Sequence, residues 1–279
     1  MTINPEPSWQ ILIDELTEYK RVVLLLGDTD SGKSTLARYL TEQLVLKELT
    51  VAFVDSDVGQ TSLGLPGTVS AKLFSAKEDL ERFYFEKMFF IGDVNPAKKS
   101  DLMVHGTKKM AGLYRERSDI TIVDTTGLIA GDAGISLKLG KINSIKPGLV
   151  IAIQRRDELE HILELAKETR ILRIKTSAMV RQRTRAERTE YRRKRFSEYF
   201  KEPEMSEYSL GDVEFFHNNR PQSGRHNISS PGVLIGINHK EDTLALGILG
   251  EADGDSITFR SPMKSLKGIN RVVFGDITI

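Results

Sequence analysis

Short apolar runs recur along the first two-thirds of the chain, at Val22–Leu26, Val51–Val54, Phe89–Ile91, Ile120–Val123, Leu149–Ile153 and Ile171–Ile174. Between them, as at Leu36–Lys47 and Leu159–Lys167, apolar residues fall three and four apart, the spacing of helices that bury one face. Strands alternating with helices predict an α/β fold, a doubly wound and mostly parallel sheet covered on both sides. After Pro203 the rhythm changes. A stretch with Gly, Asn and Pro, His217–Gly232, leads into alternating runs at Val233–Ile237, Leu244–Leu249, Ser256–Phe259 and Val272–Phe274, bounded by Asn238, Gly250, Gly254 and Pro262. This predicts a small antiparallel sheet, so that residues 1–203 form an α/β domain and 204–279 a β-rich one.

The apolar runs are far shorter than the ~20 residues that span a bilayer. The N-terminal segment carries Glu6, Asp14, Glu15 and Glu18 where a secretory leader has a basic start. A cytoplasmic protein that does not engage membranes is expected. The chain has no cysteine, which excludes thiolate metal sites, disulfides and cysteine nucleophiles, and its five histidines lack metal-ligand spacing.

Candidate chemistry begins directly after the first run. Gly27, Thr29, Asp30, Ser31, Gly32, Lys33, Ser34 and Thr35 lie in GDTDSGKST, which satisfies G-x-x-x-x-G-K-[ST] and runs into a helical pattern from Leu36. Strand, glycine loop and helix in that order form a P-loop, whose backbone N–H groups and helix N-terminus cradle phosphates. The motif fits ATP, GTP or another nucleoside triphosphate, with Lys33 on the β/γ-phosphates and Ser34 on Mg²⁺. The second run ends in Asp55-Ser56-Asp57, and strand alternation predicts both carboxylates on one side at the ligand end of the sheet. One would organise Mg²⁺ or its water while the other accepts a proton; a turn capped by Asp side chains has the same signature. Asp124-Thr125-Thr126-Gly127 fits the D-x-x-G of GTPases, yet N-K-x-D is absent and Gln154-Arg155-Arg156-Asp157 stands in its place.

Net charge is only +1, from 40 Lys and Arg against 39 Asp and Glu. Residues 181–195 nevertheless hold eight basic and two acidic residues, a local +6 that leaves −5 for the rest. Thr184-x-x-Glu187 predicts a capping box, after which Arg185, Arg188, Arg192 and Arg195 share one helical face. Stacked arginines repel one another, so this face requires an anion, and phosphate is the candidate. Phe196, Tyr199 and Phe200 are expected to anchor the far end of the helix in the core.

Taken together, these segments resemble the polynucleotide 5′-hydroxyl kinases related to the RNA kinase subunit of the pre-mRNA cleavage factor, and their shorter archaeal counterparts. That family pairs G-x-x-D-x-G-K-S-T with D-x-D-x-G-Q and a Pro-Gly, matched by Asp30, Lys33 to Thr35, Asp55, Asp57, Gln60, Pro66 and Gly67. The resemblance implies a P-loop fold and Asp57 as the carboxylate acting on a 5′-hydroxyl. It further implies a polynucleotide channel lined by Gln60, Asn95, Thr125, Thr126 and Gly127, with Gln154 near the nucleoside base. Arg188 and Arg192 match its R-x-x-x-R lid, with Arg183 beside them. Two departures stand out: Leu128 replaces a tryptophan of eukaryotic members, and Asp93 replaces the first residue of their T-x-N clasp. The implied activity is transfer of the γ-phosphate of ATP to 5′-hydroxyl ends of RNA, or of DNA. The rivals are a P-loop ATPase or GTPase switch and a non-catalytic RNA-binding subunit.

Overall fold

The computed structural model describes residues 3, 5–18, 22–209, 213–218, 220–222, 230–252, 256–263 and 267–279. Helix α1 (Pro7–Glu18) precedes strand β1 (Val22–Gly27), the P-loop and α2 (Lys33–Leu46). There follow β2 (Val51–Ser56), β3 (Thr68–Phe74), β4 (Lys87–Phe90), α3 (Ser100–Gly112), β5 (Ile120–Thr125), α4 (Gly131–Ile145) and β6 (Leu149–Gln154). The single turn α5 (Glu160–Leu163), β7 (Ile171–Lys175) and α6 (Arg185–Tyr199) complete this part. The alternating strands of the expected parallel sheet run in the order β2-β5-β1-β6-β7.

Alternation along β1 shows why the sheet is covered twice. Leu24 and Leu26 pack under α3 and α4 with Met103 and Leu137, whereas Val23 and Leu25 pack under α1 and α2 with Leu12 and Leu36. Trp9 belongs to the second layer, its ring 5.3 Å from that of Tyr39 on α2. No helix among the described residues is long and apolar enough to cross a membrane.

Two local expectations fail for identifiable reasons. β3 had no counterpart in the apolar pattern, because Thr68, Ser70 and Lys72 occupy alternate positions; all three are buried, and partners inside the fold satisfy them. β3 runs antiparallel to both β2 and β4. The helix expected over Leu159–Lys167 shrinks to α5, since the chain must turn back to reach β7.

Past Pro203 lie β8 (Glu204–Ser209), β9 (Glu214–His217), β10 (Arg220–Pro221), β11 (Val233–His239), β12 (Asp242–Ala252), β13 (Ser256–Ser261) and β14 (Arg271–Thr278). Gly254, and residues 219 and 223–229 of the expected loop, fall outside the described residues. Pairing is antiparallel except between β9 and β14. These strands continue the main sheet, since β12 lies beside β4 with Thr243 opposite Met88.

Helix α6 begins as its sequence dictates. Glu187 N–H donates to Thr184 Oγ1 at 3.2 Å and Thr184 N–H to Glu187 Oε2 at 2.7 Å, a capping box that satisfies two helix-end donors reciprocally. Its far end is buried by Phe196, which packs with Leu65, Phe90, Leu234 and Leu246. Phe196→Ala should therefore cost about 3 kcal/mol, the usual penalty for deleting a buried aromatic ring, measured as a shift in the denaturant midpoint.

Candidate active site

The P-loop turns from β1 into α2 through two left-handed residues, Asp30 (φ 52°) and Gly32 (φ 93°). Glycine is obligatory at Gly27 for space: a Cβ there would lie 2.5 Å from Ser31 Oγ and 2.7 Å from the Ile153 carbonyl oxygen. Lys33 is almost wholly buried, and its ammonium donates to the Asp28 carbonyl at 2.6 Å. Burial lowers its pKa, opposed by the nearby Asp124, Asp57, Asp28 and Asp30.

The loop opens onto a cavity of about 490 Å³. Residues 29–35 form one wall, Asp57 and Gln60 to Ser62 the next, and Arg183 and Tyr191 the side nearest α6. The remaining wall is largely apolar, with Trp9, Ile153, Ile174, Met179 and Val180. The sequence separations across it span most of the α/β part.

Asp30 fastens the arginine segment to the loop. Its Oδ2 accepts the Arg188 guanidinium at 2.6 Å and the Arg183 N–H at 2.9 Å, while Arg183 also reaches Gln60 Oε1 at 3.3 Å. Arg192 has no such carboxylate and donates to Thr189 Oγ1. Partial burial, with Arg188 and Arg185 beside it, lowers its pKa, so this face is a cation cluster that a polyanion would relieve.

Of the two aspartates at the end of β2, Asp55 within it and Asp57 just beyond, only Asp57 lines the cavity. Its Oδ1 accepts Gly59 N–H at 2.9 Å and Gln60 N–H at 3.0 Å, and no described residue donates to Oδ2. Asp55 is fully buried, and its Oδ2 accepts Thr61 Oγ1, Ser62 N–H, Ser62 Oγ and Leu63 N–H. The expectation that alternation points both carboxylates at a ligand does not survive this geometry. Asp57 lies past the end of β2, and Asp55 is consumed in bracing the loop that carries it.

Asp124 at the end of β5 is the functional candidate that sequence reasoning passed over, having assigned it to D-x-x-G. It is completely buried, and neither oxygen has a well-aligned hydrogen-bond partner, although the nearby Ser34 hydroxyl lowers its pKa. Burial, with Asp55 beside it, pushes that pKa up to about 7 against the pull of Lys33 and Ser34. The available signal was an aspartate closing an apolar strand level with the P-loop.

Thr125 and Thr126, expected on a polynucleotide channel, are buried. The Lys138 ammonium of α4 donates to Thr125 Oγ1 at 2.9 Å and to the Thr126 carbonyl, and Thr125 donates to the Leu25 carbonyl at 2.7 Å. Gly127 lies so close to the P-loop that a Cβ would meet Thr29 Oγ1 at 2.3 Å. Gln154 is likewise committed to the fold, donating to Glu160 and accepting Leu159 N–H. Asn95 stays exposed beyond the Asp57 turn, where its Oδ1 caps the short turn Pro96–Lys99.

Residues 27–202 match the family model of the mRNA cleavage and polyadenylation factor CLP1 P-loop. The chain belongs to this family. It is 35% identical over 215 residues to a polyribonucleotide 5′-hydroxyl-kinase of Pyrococcus horikoshii, covering 75% of this chain and 58% of that protein. With the Methanocaldococcus jannaschii protein of the same description it shares 38% identity over 193 residues, 68% of this chain and 53% of the relative. The chain thus spans little more than half the length of these relatives. The solved wild-type Clp1p–Pcf11p complex has the same fold, with a TM-score of 0.76 and 15% identity over 99% of this chain and 81% of the other.

The raised pKa of Asp124 has a consequence for stability. An unfolded chain loses this proton near 3.8, whereas the folded protein keeps it to about 7. Across that window the folded state binds more protons, so this group makes stability fall as pH rises. In EDTA, Asp124→Asn should melt above the parent protein at about pH 8, with the gap shrinking towards about pH 4.

Proposed function

We propose that this protein is a polynucleotide 5′-hydroxyl kinase that uses ATP as donor and 5′-hydroxyl RNA ends as acceptor. One observation carries the reading: Asp57, a carboxylate with one oxygen free of donors, shares a cavity with the P-loop lysine, and an arginine-bearing helix closes its far side. A kinase needs such a base for the acceptor hydroxyl; a hydrolase could use the same carboxylate to orient water, and it is the relatives' activity that favours an alcohol as the acceptor. The Pyrococcus and Methanocaldococcus relatives, both polyribonucleotide 5′-hydroxyl-kinases, support the same activity.

Each group then has a task. The P-loop N–H groups and Lys33 hold the triphosphate. The acceptor 5′-oxygen attacks the γ-phosphorus, the bond to the β,γ-bridging oxygen breaks, and Asp57 takes the hydroxyl proton. Gly59 and Gln60 N–H groups fix the Asp57 carboxylate from behind. Arg188 and Arg192 balance charge on the transferred group, which costs nothing in reorganisation if the helix is already docked. Arg183 and Gln60, joined across the cavity, border the acceptor side.

Mg²⁺ fits the residues present. Ser34 sits at the start of α2 beside the buried Asp124, whose two carboxylate oxygens have no well-aligned donor among the described residues and which a cation would hold in its charged form. When bound, the ion would neutralise charge on the β- and γ-phosphates, and Ser34 and Asp124 would hold it directly or through water. Asp55, engaged on both oxygens, acts as a brace for the Asp57 turn in this reading.

The test is transfer of label from γ-labelled ATP to oligonucleotides. Label should appear on 5′-hydroxyl RNA and not on the 5′-phosphorylated form; DNA of the same sequence tests the acceptor sugar. Asp57→Asn should lower kcat by ~10²–10⁴-fold with the KM for ATP little changed, the usual cost of removing a general base. Release of free phosphate with no labelled oligonucleotide would refute the kinase reading.

A further inference from the structure

The strands after Pro203 carry none of the groups assigned above, yet they touch the loop that carries Asn95. The loop after β4 runs through Gly92, Asp93 and Asn95 into the short turn ending at Lys99. Lys99 is buried, with only 7% of its side chain exposed, and its ammonium lies 2.6 Å from Asp276 Oδ2 on β14. The same ammonium donates to Asn218 Oδ1, and the other Asp276 oxygen meets His217 Nε2 at 2.8 Å. Burial alone would raise the Asp276 pKa, but the hydrogen bonds from Lys99 and His217 outweigh it and hold it low.

The backbones are joined as well. Asp276 N–H donates to the Gly92 carbonyl at 2.6 Å, Gly92 N–H to the Gly67 carbonyl at 3.1 Å, and Gly67 N–H to the Val58 carbonyl at 2.9 Å. That chain of bonds ends one residue from Asp57. Gly92 has φ 78°, and a Cβ on it would lie 2.8 Å from the Gly275 Cα, so β14 and the loop touch backbone to backbone. On the other side, a Cβ on Gly59 would lie 3.3 Å from the Val94 carbonyl oxygen. Asn95 itself is exposed, and its carboxamide nitrogen has no partner among the described residues.

We infer that the C-terminal strands set the position of the loop at residues 92–99 against the Asp57 turn, with Lys99 and Asp276 as positioning residues for the acceptor strand end. This rests on the kinase reading and, with it, on the place beside the acceptor strand that the family resemblance implies for Asn95. The pair acts by holding Asn95 at a fixed distance from Asp57. Removing Asp276 leaves the buried Lys99 ammonium without its carboxylate, and removing Lys99 takes away the side-chain tie between the loop and β14, while the P-loop and the nucleotide side of the cavity are untouched.

The experiment measures binding of a 5′-hydroxyl RNA oligonucleotide, labelled at its 3′ end, by fluorescence anisotropy, alongside binding of a fluorescent ATP analogue. Lys99→Met and Asp276→Asn should each weaken oligonucleotide binding about tenfold while changing analogue affinity by less than about twofold. Asp276→Glu should recover most of the loss. Lys99→Met combined with Asn95→Ala should bind no worse than the weaker single variant, because a residue that works through Asn95 adds nothing once Asn95 is gone. Additive losses, equal loss of nucleotide affinity, or unchanged oligonucleotide binding would each overturn the inference. Should Lys99→Met not fold, Asp276→Asn with Asn95→Ala makes the same comparison. If the parent protein binds the oligonucleotide with this pattern but transfers no label, the kinase reading falls and the positioning role stands.

Discussion

Charge buried at the ligand end of the sheet governs the arrangement of everything near it. Asp55 and Asp124 are fully buried and Asp57 partly so, facing the buried ammoniums of Lys33, Lys138 and Lys141. Each buried ion costs several kcal/mol in lost hydration, offset by nearby charges of opposite sign and by hydrogen bonds to carbonyl and hydroxyl oxygens. The result is a packed set in which no member can move alone. Burial lowers the pKa of Lys138 well below the ordinary lysine value and that of Lys141 to about 8, and in both cases nearby aspartates resist the shift. Lys138 holds the loop after β5, Lys141 holds Ser56 beside Asp57, and Lys33 sits on the P-loop itself. The three loops that form the site are thereby tied to one another through α4 and α2.

The parts legible in the sequence are those whose physics is local. A P-loop is a contiguous backbone device, and the capping box of α6 needs only Thr184 and Glu187 three residues apart. Binary patterning likewise exposes strands whose both faces are apolar. What stayed hidden depends on distant partners. β3 looks half-polar because Lys72 finds its acceptors at the Asp79 and Arg82 carbonyls. Nothing in Leu137-Lys138-Leu139-Gly140-Lys141 announces that both lysines point inward, and without them Thr125 and Thr126 read as exposed. The capping half of the ambiguity over Asp57 is visible in the fold: one oxygen caps Gly59 and Gln60, and the other has no donor among the described residues.

The arginine helix shows how a concentrated positive charge is kept in place without being neutralised. Arg188 and the backbone of Arg183 share Asp30, so the helix is attached to the P-loop by one carboxylate. Tyr191 donates to the Thr61 carbonyl at 2.7 Å and Arg195 to the Leu63 carbonyl at 3.1 Å, which fixes the helix to the Asp57 loop as well. One carboxylate cannot balance Arg183, Arg185, Arg188 and Arg192. Arg183 lines the cavity and Arg185, Arg188 and Arg192 stand on the helix beside it, so the excess charge is concentrated near one place, where a polyanion gains more than from the same charge spread over the surface.

The join between the two halves of the sheet is made by packing more than by backbone pairing. β4 would otherwise be an exposed edge, open to pairing with other chains. β12 covers it with Thr243 opposite Met88, and Phe90 N–H donates to the Thr243 hydroxyl at 3.0 Å. Gly236 on β11 lets the Phe90 ring lie flush, since a Cβ there would meet it at 2.7 Å. Phe90 in turn shares a core cluster with Phe196 of the arginine helix. A ring at one strand edge therefore connects the C-terminal strands, the helix that closes the cavity and the loop bearing Asn95, so displacement of any one of the three disturbs the packing of the others.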